Sequence, residues 1–391
     1  MKIAQINVTC GAGSTGKIAV AVSRLLSAQN VENHVLYSHG QSEYSLGVKY
    51  TTDGACKLQA LFSRISGEYG FVSQEITKNL IAELDRLQPD TVHLHNLHAH
   101  NCNLDMLFSY FKEKKTRLFW TFHDCWAFTG YCPHYDGVGC QKWQESCGNC
   151  PQKGAYTWFT DKSKTLFERK KALFTGLDLT IITPSQWLAD EVKKSFLKDY
   201  PVRVIHNGID LHTFRPTESD FRQKHGLEDK KILLGVAYVW DERKGVDVFI
   251  ELAKRLSDEY KIVLVGTDES VEQRLPKNMH CIRKTQNQEE LAEIYTAADL
   301  FVNATREDNF PTVNIEALAC GTPVLTFATG GSGEIADETC GASVPKNDVD
   351  ALQREIERIC TEKPYSVGAC TSRAQNYNEQ EKFLEYLRLY E

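Results

Sequence analysis

The densest group of chemically capable residues in this chain lies between Arg306 and Gly321. Glu307, Asp308 and Asn309 form a polar stretch directly after Leu300-Phe301-Val302-Asn303, an apolar run that reads as a buried strand. Thr312 to Cys320 predicts a helix, with Thr312 as its cap, Pro311 just ahead of it and Gly321 as its stop. Glu316 falls within that helix, close to its start. Carboxylates accept hydrogen bonds from hydroxyls, and the free N–H groups of a helix start hold anions. The stretch therefore suits a polyhydroxylated ligand that carries phosphate. A capped surface helix with incidental acids is the plainer reading of the same residues.

A second group stands at the N-terminus. Gly11-Ala12-Gly13-Ser14-Thr15-Gly16-Lys17 follows the apolar run Ile3 to Val8 and opens an amphipathic stretch. Its glycines let backbone N–H groups approach an anion. It fits the G-x-x-x-x-G-K pattern of nucleotide hydrolases, but Ile18 stands where a magnesium-holding Ser or Thr belongs. A glycine turn packed on sugar or phosphate, or a merely structural turn, fits better. The third group is histidine-rich. Thr91 to Asn96 predicts a strand that carries His93 and His95 on one face, His98 and His100 follow, and His123-Asp124 closes the strand Leu118 to Phe122. Hydrogen bonding to sugar hydroxyls or to a reacting centre suits them. No accompanying carboxylate spacing supports a histidine metal site, and His93 also reads as purely structural.

The fourth group is Cys132, Cys140, Cys147 and Cys150, set among Trp126, Phe128, Tyr131, Tyr135 and Trp143. Four thiolates so close in a reduced chain suggest a structural tetrahedral zinc, which would shape a loop and leave no open coordination position. Two disulfides or four free thiols remain as alternatives.

These groups need elements to hold them. A chain of 391 residues exceeds what one core usually serves, so two domains are expected. Hydrophobic content of 42% and charged content of 25% are ordinary globular values. The net charge of −7 disfavours a general nucleic-acid partner. No apolar run is long enough for a membrane span, and Met1-Lys2 leads into a strand rather than a signal peptide, so a cytoplasmic protein is expected. Thirteen cysteines then read as thiols or metal ligands. The strand, glycine loop and helix at the N-terminus begin a doubly wound α/β unit. Pro201 marks the start of a second strand–helix series, with strands expected at Val202 to Ile205, Lys231 to Tyr238, Ile262 to Val265, Asp299 to Val302 and Pro323 to Thr326. Asp348-Val349-Asp350 has the form of a metal-binding D-x-D, but it precedes a predicted helix, where acids cap.

Taken together, Val204 to Asp210, Arg243-Lys244-Gly245, and Asp308 to Glu316 followed by Ala317 to Val324 resemble a family 4 (group 1) glycosyltransferase of the retaining, two-domain GT-B type. Gly330-Gly331 with Glu334 supports the resemblance, which covers essentially the whole chain. The cysteine insert and Thr121 to Asp124 are similar to a branch that makes capsular, exopolysaccharide or lipopolysaccharide glycans.

The resemblance implies two Rossmann-like doubly wound domains facing a central cleft. Residues 1–200 would form an acceptor domain with the cysteine-rich insert at 125–151. Residues 201–374 would bind the nucleotide sugar, and 375–391 would return as a helix to the first domain, with a hinge strand near 365–375. It implies a nucleotide-diphosphate sugar donor, a glycan or lipid-linked acceptor, and association with the inner membrane face. The donor-side residues would be Gly13, Arg243, Lys244, Asp308, Asn309, Phe310, Thr312, Val313 and Glu316. Asp308 takes the place of the usual Glu, with a shorter arm; Glu316 would hold the ribose and Lys244 the diphosphate. The family's usual Arg falls at Tyr238 or Val239, so either Arg243 supplies a second charge or the phosphate is held differently. His95, His123 and Asp124 would meet the acceptor, and the catalytic set would be His123, Lys244, Asp308 and Glu316. No metal is needed for catalysis if cations and helix dipoles hold the leaving diphosphate. The rivals are a phosphate-loop hydrolase or switch using Gly11 to Lys17, and a carbohydrate-binding protein without catalysis.

Overall fold

The computed structural model describes residues 1–390, which form two compact units: Met1–Ile205 with the chain from Phe383 to Tyr390, and His206–Lys382. In the first unit the strands β1 (Lys2–Asn7), β2 (Glu32–Tyr37), β3 (Gly47–Lys49), β4 (Thr91–Leu94), β5 (Arg117–Thr121), β6 (Leu179–Thr183) and β7 (Val202–Val204) make one parallel sheet in the order β3-β2-β1-β4-β5-β6-β7. In the second, β8 (Lys231–Val236), β9 (Tyr260–Val265), β10 (His280–Ile282), β11 (Leu300–Asn303), β12 (Val324–Phe327) and β13 (Gly341–Val344) run parallel as β10-β9-β8-β11-β12-β13. Helices link the strands, so both faces are covered and central strands such as β4 and β11 are buried throughout. Each order reverses once, at β1/β4 and at β8/β11. Such switch points are where open sheets of this kind place ligands, at the strands' carboxyl ends.

The unit boundaries differ from the sequence expectation. Val202 to Ile205 was expected to open the second domain, but β7 pairs with β6 through Ile181↔Val202 and completes the first sheet. The division falls after Ile205 rather than after Tyr200. The expected strand near 365–375 is the helix Val367–Gln375, capped by Ser366, whose hydroxyl accepts from the N–H of Ala369. The last helix starts at Glu379, and its portion from Phe383 onward belongs to the first unit. There Phe383, Tyr386 and Tyr390 pack with Ile3, Phe119 and Ile182.

The cysteine-rich insert is woven into the first core. Trp126, Phe128, Tyr131, Tyr135 and Trp143 are all buried. Lys170, itself fully buried, donates to the carbonyls of Trp126 at 2.7 Å and Thr129 at 3.0 Å, and its ammonium lies 3.6 Å from the Trp126 ring centroid. Burial drags the Lys170 ammonium down to about 7.

Candidate active site

In the second unit the donor-side residues gather at the carboxyl ends of β8 and β11. Gly245 joins the two loops. Its φ of +77° suits glycine, and a Cβ there would sit 2.3 Å from the Ala304 carbonyl oxygen. The close approach lets the N–H of Arg306 donate to the carbonyl of Arg243 at 2.8 Å, and Arg243 Nη1 reach the Glu307 carbonyl at 3.4 Å. Lys244 is thereby held beside Asp308, with Nζ 2.6 Å from Oδ2 and both side chains about one-fifth exposed, at 23% and 20%. Tyr238 and Val239, one of which stands where the resemblance places an Arg, are both exposed just past β8.

The helix Thr312–Ala319 starts one residue earlier than a Thr312 cap would give. Pro311 occupies the cap position in extended conformation and supplies no side-chain bond. Thr312 and Val313 are thus first-turn residues, whose N–H groups have no intrahelical partner. Gly321, at φ +84°, closes the helix as expected. Glu316 is half-buried and accepts a hydrogen bond at 3.1 Å from Tyr295, whose hydroxyl burial keeps from ionising. Phe310 stacks on His206 at 4.8 Å, and the Asn309 carbonyl accepts from the Gly331 N–H at 3.1 Å, tying the Gly330-Gly331 turn to this loop.

Beneath the loop lies a polar network that the sequence reading did not single out. Asn303 Nδ2 donates to Asn314 Oδ1 at 2.7 Å, Asn314 Nδ2 donates to Ser332 Oγ at 3.1 Å, and Ser332 meets Thr326 at 2.7 Å. Its members are all buried, and a fully bonded buried network of this sort fixes one loop geometry. Asn303, a polar residue ending an apolar strand, was the legible signal. The D-x-D acids are engaged elsewhere: Asp348 caps the helix Val349–Glu362 through Ala351 N–H at 2.8 Å, and Asp350 pairs with Arg255.

In the first unit Gly13, at φ +66°, begins the helix that follows β1. Because the helix already runs from Gly13, most of the G-x-x-x-x-G-K stretch is helical and no open loop exists to wrap a triphosphate. The neighbouring strand ends carry the histidines. His95 is fully buried, His93 stacks on it with ring centroids 4.3 Å apart, and the His123 ring lies nearly parallel to it with centroids 5.4 Å apart. His95 Nδ1 lies 3.1 Å from His123 Nε2. Burial lowers all three, His93 to about 3 and His123 to about 4, so the stack is neutral at pH 7. His93 bonds to Tyr390 and Thr121, the structural role left open for it. Asp124 pairs with His98 at 2.8 Å. Burial pushes its carboxyl up, but the pull of His98 and the Trp126 N–H outweighs this and brings it down to about 2.

The expected catalytic set is divided between the units: His123 in the first, and Lys244, Asp308 and Glu316 in the second. Cys132, Cys140, Cys147 and Cys150 line one cavity, with the Gly130 N–H 3.2 Å from Cys147 Sγ, and all thirteen cysteines are free thiols. No group of three or more His, Cys, Asp or Glu among the described residues is disposed to hold a metal ion. None of the described helices is long and apolar enough to cross a membrane.

This arrangement is that of a GT-B glycosyltransferase, and comparison with known proteins agrees. Residues 16–213 match the profile "Glycosyltransferase Family 4" and residues 217–380 match "Glycosyl transferases group 1". The chain belongs to glycosyltransferase family 4. It is 25% identical, over the full length of both chains, to WcaC of Escherichia coli K12, which its name assigns to colanic acid biosynthesis as a glycosyl transferase. Sucrose-phosphate synthase from Thermosynechococcus elongatus superposes with a TM-score of 0.72 at 20% identity, covering 100% of this chain and 98% of that one. Anabaena HepE in complex with UDP superposes equally well, at 0.72 and 13% identity over 100% and 99% of the chains, and HepE is also known with UDP-glucose.

Proposed function

We propose that this glycosyltransferase is a retaining, metal-independent enzyme that moves a hexose from a nucleotide-diphosphate sugar to a glycan or lipid-linked acceptor in surface-polysaccharide synthesis. The observation that carries the reading is the second unit's cluster: Lys244 beside Asp308, first-turn N–H groups at Thr312 and Val313, and Glu316 steadied by Tyr295. UDP-glucose in HepE and the name of WcaC support the donor and product classes.

Cleaving the sugar–phosphate bond puts negative charge on the departing diphosphate while the ring becomes cation-like. Lys244, Arg243 and the helix start stabilise that charge as it grows. Glu316 accepts hydrogen bonds from the ribose hydroxyls and Asp308 from the sugar, with Asn309 and Phe310 offering backbone donors. His123 and Asp124 bind the acceptor; His95, expected beside them, is buried with both ring nitrogens engaged and meets the acceptor only through His123. The acceptor attacks from the leaving-group face, and a donor phosphate oxygen takes its proton. A thermal-shift panel of nucleotide sugars, with and without chelator, tests the donor, because a ligand that binds the native state raises its melting temperature. No stabilisation by any nucleotide sugar sinks the reading. Trapping a covalent sugar on the protein overturns the mechanism, and loss of transfer on chelation overturns metal independence.

Two further parts belong to the proposal. The helix Asp53–Ser66 turns Leu58, Leu61, Phe62 and Ile65 to solvent, each 43–51% exposed, beside Lys57, while Trp158, its side chain exposed, donates its backbone N–H to the Arg64 carbonyl at the helix end. An outward apolar stripe with aromatic and basic neighbours suits the inner face of the cell membrane. Vesicle co-sedimentation that Leu61→Glu does not weaken removes this part. The cysteine cavity would take a structural zinc, which would draw the four thiolates together; metal analysis of reduced protein finding none removes it.

A further inference from the structure

We propose that Gln5 and His95 are positioning residues that fix the tautomer of His123, so that its Nδ1 faces the ligand as a hydrogen-bond acceptor. The chain of reasoning begins at a group with no choice. The carbonyl oxygen of Ala19 can only accept, and Gln5 Nε2 donates to it at 2.9 Å. The amide of Gln5, fully buried on β1, is thereby oriented, and its Oε1 lies 3.1 Å from His95 Nε2. An amide oxygen also only accepts, so His95 Nε2 carries the proton. Burial between two other imidazoles keeps His95 neutral, so its Nδ1 holds a lone pair. That lone pair points at His123 Nε2, 3.1 Å away, which must therefore donate.

His123 is neutral as well, so the single ring proton sits on Nε2 and Nδ1 is bare. No hydrogen bond to His123 Nδ1 is found among the described residues. The ring is partly exposed and lines a cavity with Asn96, His98, Asp124 and Trp126. His93 cannot perturb the relay by hydrogen bonding, because both its nitrogens are engaged by Tyr390 and Thr121. The site thus accepts a ligand hydroxyl and disfavours a carbonyl or phosphate oxygen, which would meet a second lone pair. That the hydroxyl belongs to a sugar rests on the glycosyltransferase reading; the tautomer does not.

The test is long-range proton–nitrogen NMR of the full chain labelled with nitrogen-15 at histidine, with His123 assigned by comparison with His123→Gln. At pH 7 the wild-type spectrum should show His123 protonated on Nε2 and bare on Nδ1. Gln5→Met keeps the side chain's length and removes both its donor and its acceptor. In that variant His123 should populate the Nδ1–H form, kcat for transfer should fall by up to about a hundredfold, and the donor KM should hold. A wild-type His123 carrying its proton on Nδ1 overturns the inference without any variant needing to fold. So does a Gln5→Met spectrum with the His123 tautomer unchanged. Absence of transfer in every form would instead count against the functional reading and leave the nitrogen result standing.

Discussion

The two sheets share a plan, yet their carboxyl ends carry opposite electrostatics. At the first, His93, His95 and His123 are packed so tightly that burial strips them of charge, and only hydrogen-bond direction distinguishes them. At the second, Lys244, Asp308 and Glu316 stay partly exposed, and the Lys244–Asp308 ion pair sits where water still screens it. One doubly wound frame can thus present neutral, directional imidazoles beside a single carboxylate, Asp124, or a cluster of charges suited to a diphosphate. Side-chain burial at the switch point decides which.

The contrast can be broken most forcefully at the charged end. Lys244→Ala or Glu316→Ala should lower transfer by about 10²–10³-fold and leave the melting temperature nearly unchanged, as steady-state kinetics and calorimetry would show. Equal loss of stability and rate would mean these residues hold the fold instead. Acid should act on the other end. His93 and His123 titrate near 6.5 when unfolded but at about 3 and about 4 when folded, so below pH 6.5 the unfolded chain binds more protons. Stability should then be maximal above pH 6.5 and fall by about 1.4 kcal/mol per pH unit for each histidine as the pH drops towards 4. Hydrogen exchange at pH 5 should show the first unit loosening first; earlier loosening of the second contradicts the assignment. Asp124, held at about 2 when folded against 3.8 when free, adds to the same fall only as the pH nears 4.

Gly245→Ala sharpens the comparison further, because it attacks the joint that brings Lys244 to Asp308. A Cβ against the Ala304 carbonyl at positive φ should cost about 1–3 kcal/mol, read by urea unfolding, and should depress transfer along with stability. The smallest effect is expected at Asp348→Ala, which removes a helix cap worth about 1 kcal/mol and should leave turnover intact. A large loss of turnover there would restore a metal role to the D-x-D pair.

Much of the second site was legible before any coordinates. An apolar strand, an acidic loop and a helix bounded by Pro311 and Gly321 make a local pattern, and local patterns survive folding. The sheet membership of Val202 to Val204 was not legible, because strand pairing depends on distant residues such as Ile181. Nor was the role of Tyr295, which joins Glu316 only through packing between two helices. Gln5 lies unremarked inside the apolar run Ile3 to Val8, because its meaning depends on His95, 90 positions away.

By itself the sequence determined the two doubly wound halves and the identity of the residues at their strand ends. Hydrophobic periodicity, glycine placement and helix signals act over a few neighbours. Only the tertiary structure decided how those residues are charged and aimed. The neutrality of the histidine stack, the direction of each of its protons and the pairing of Lys244 with Asp308 arise from burial and from contacts between distant segments, which no local window contains.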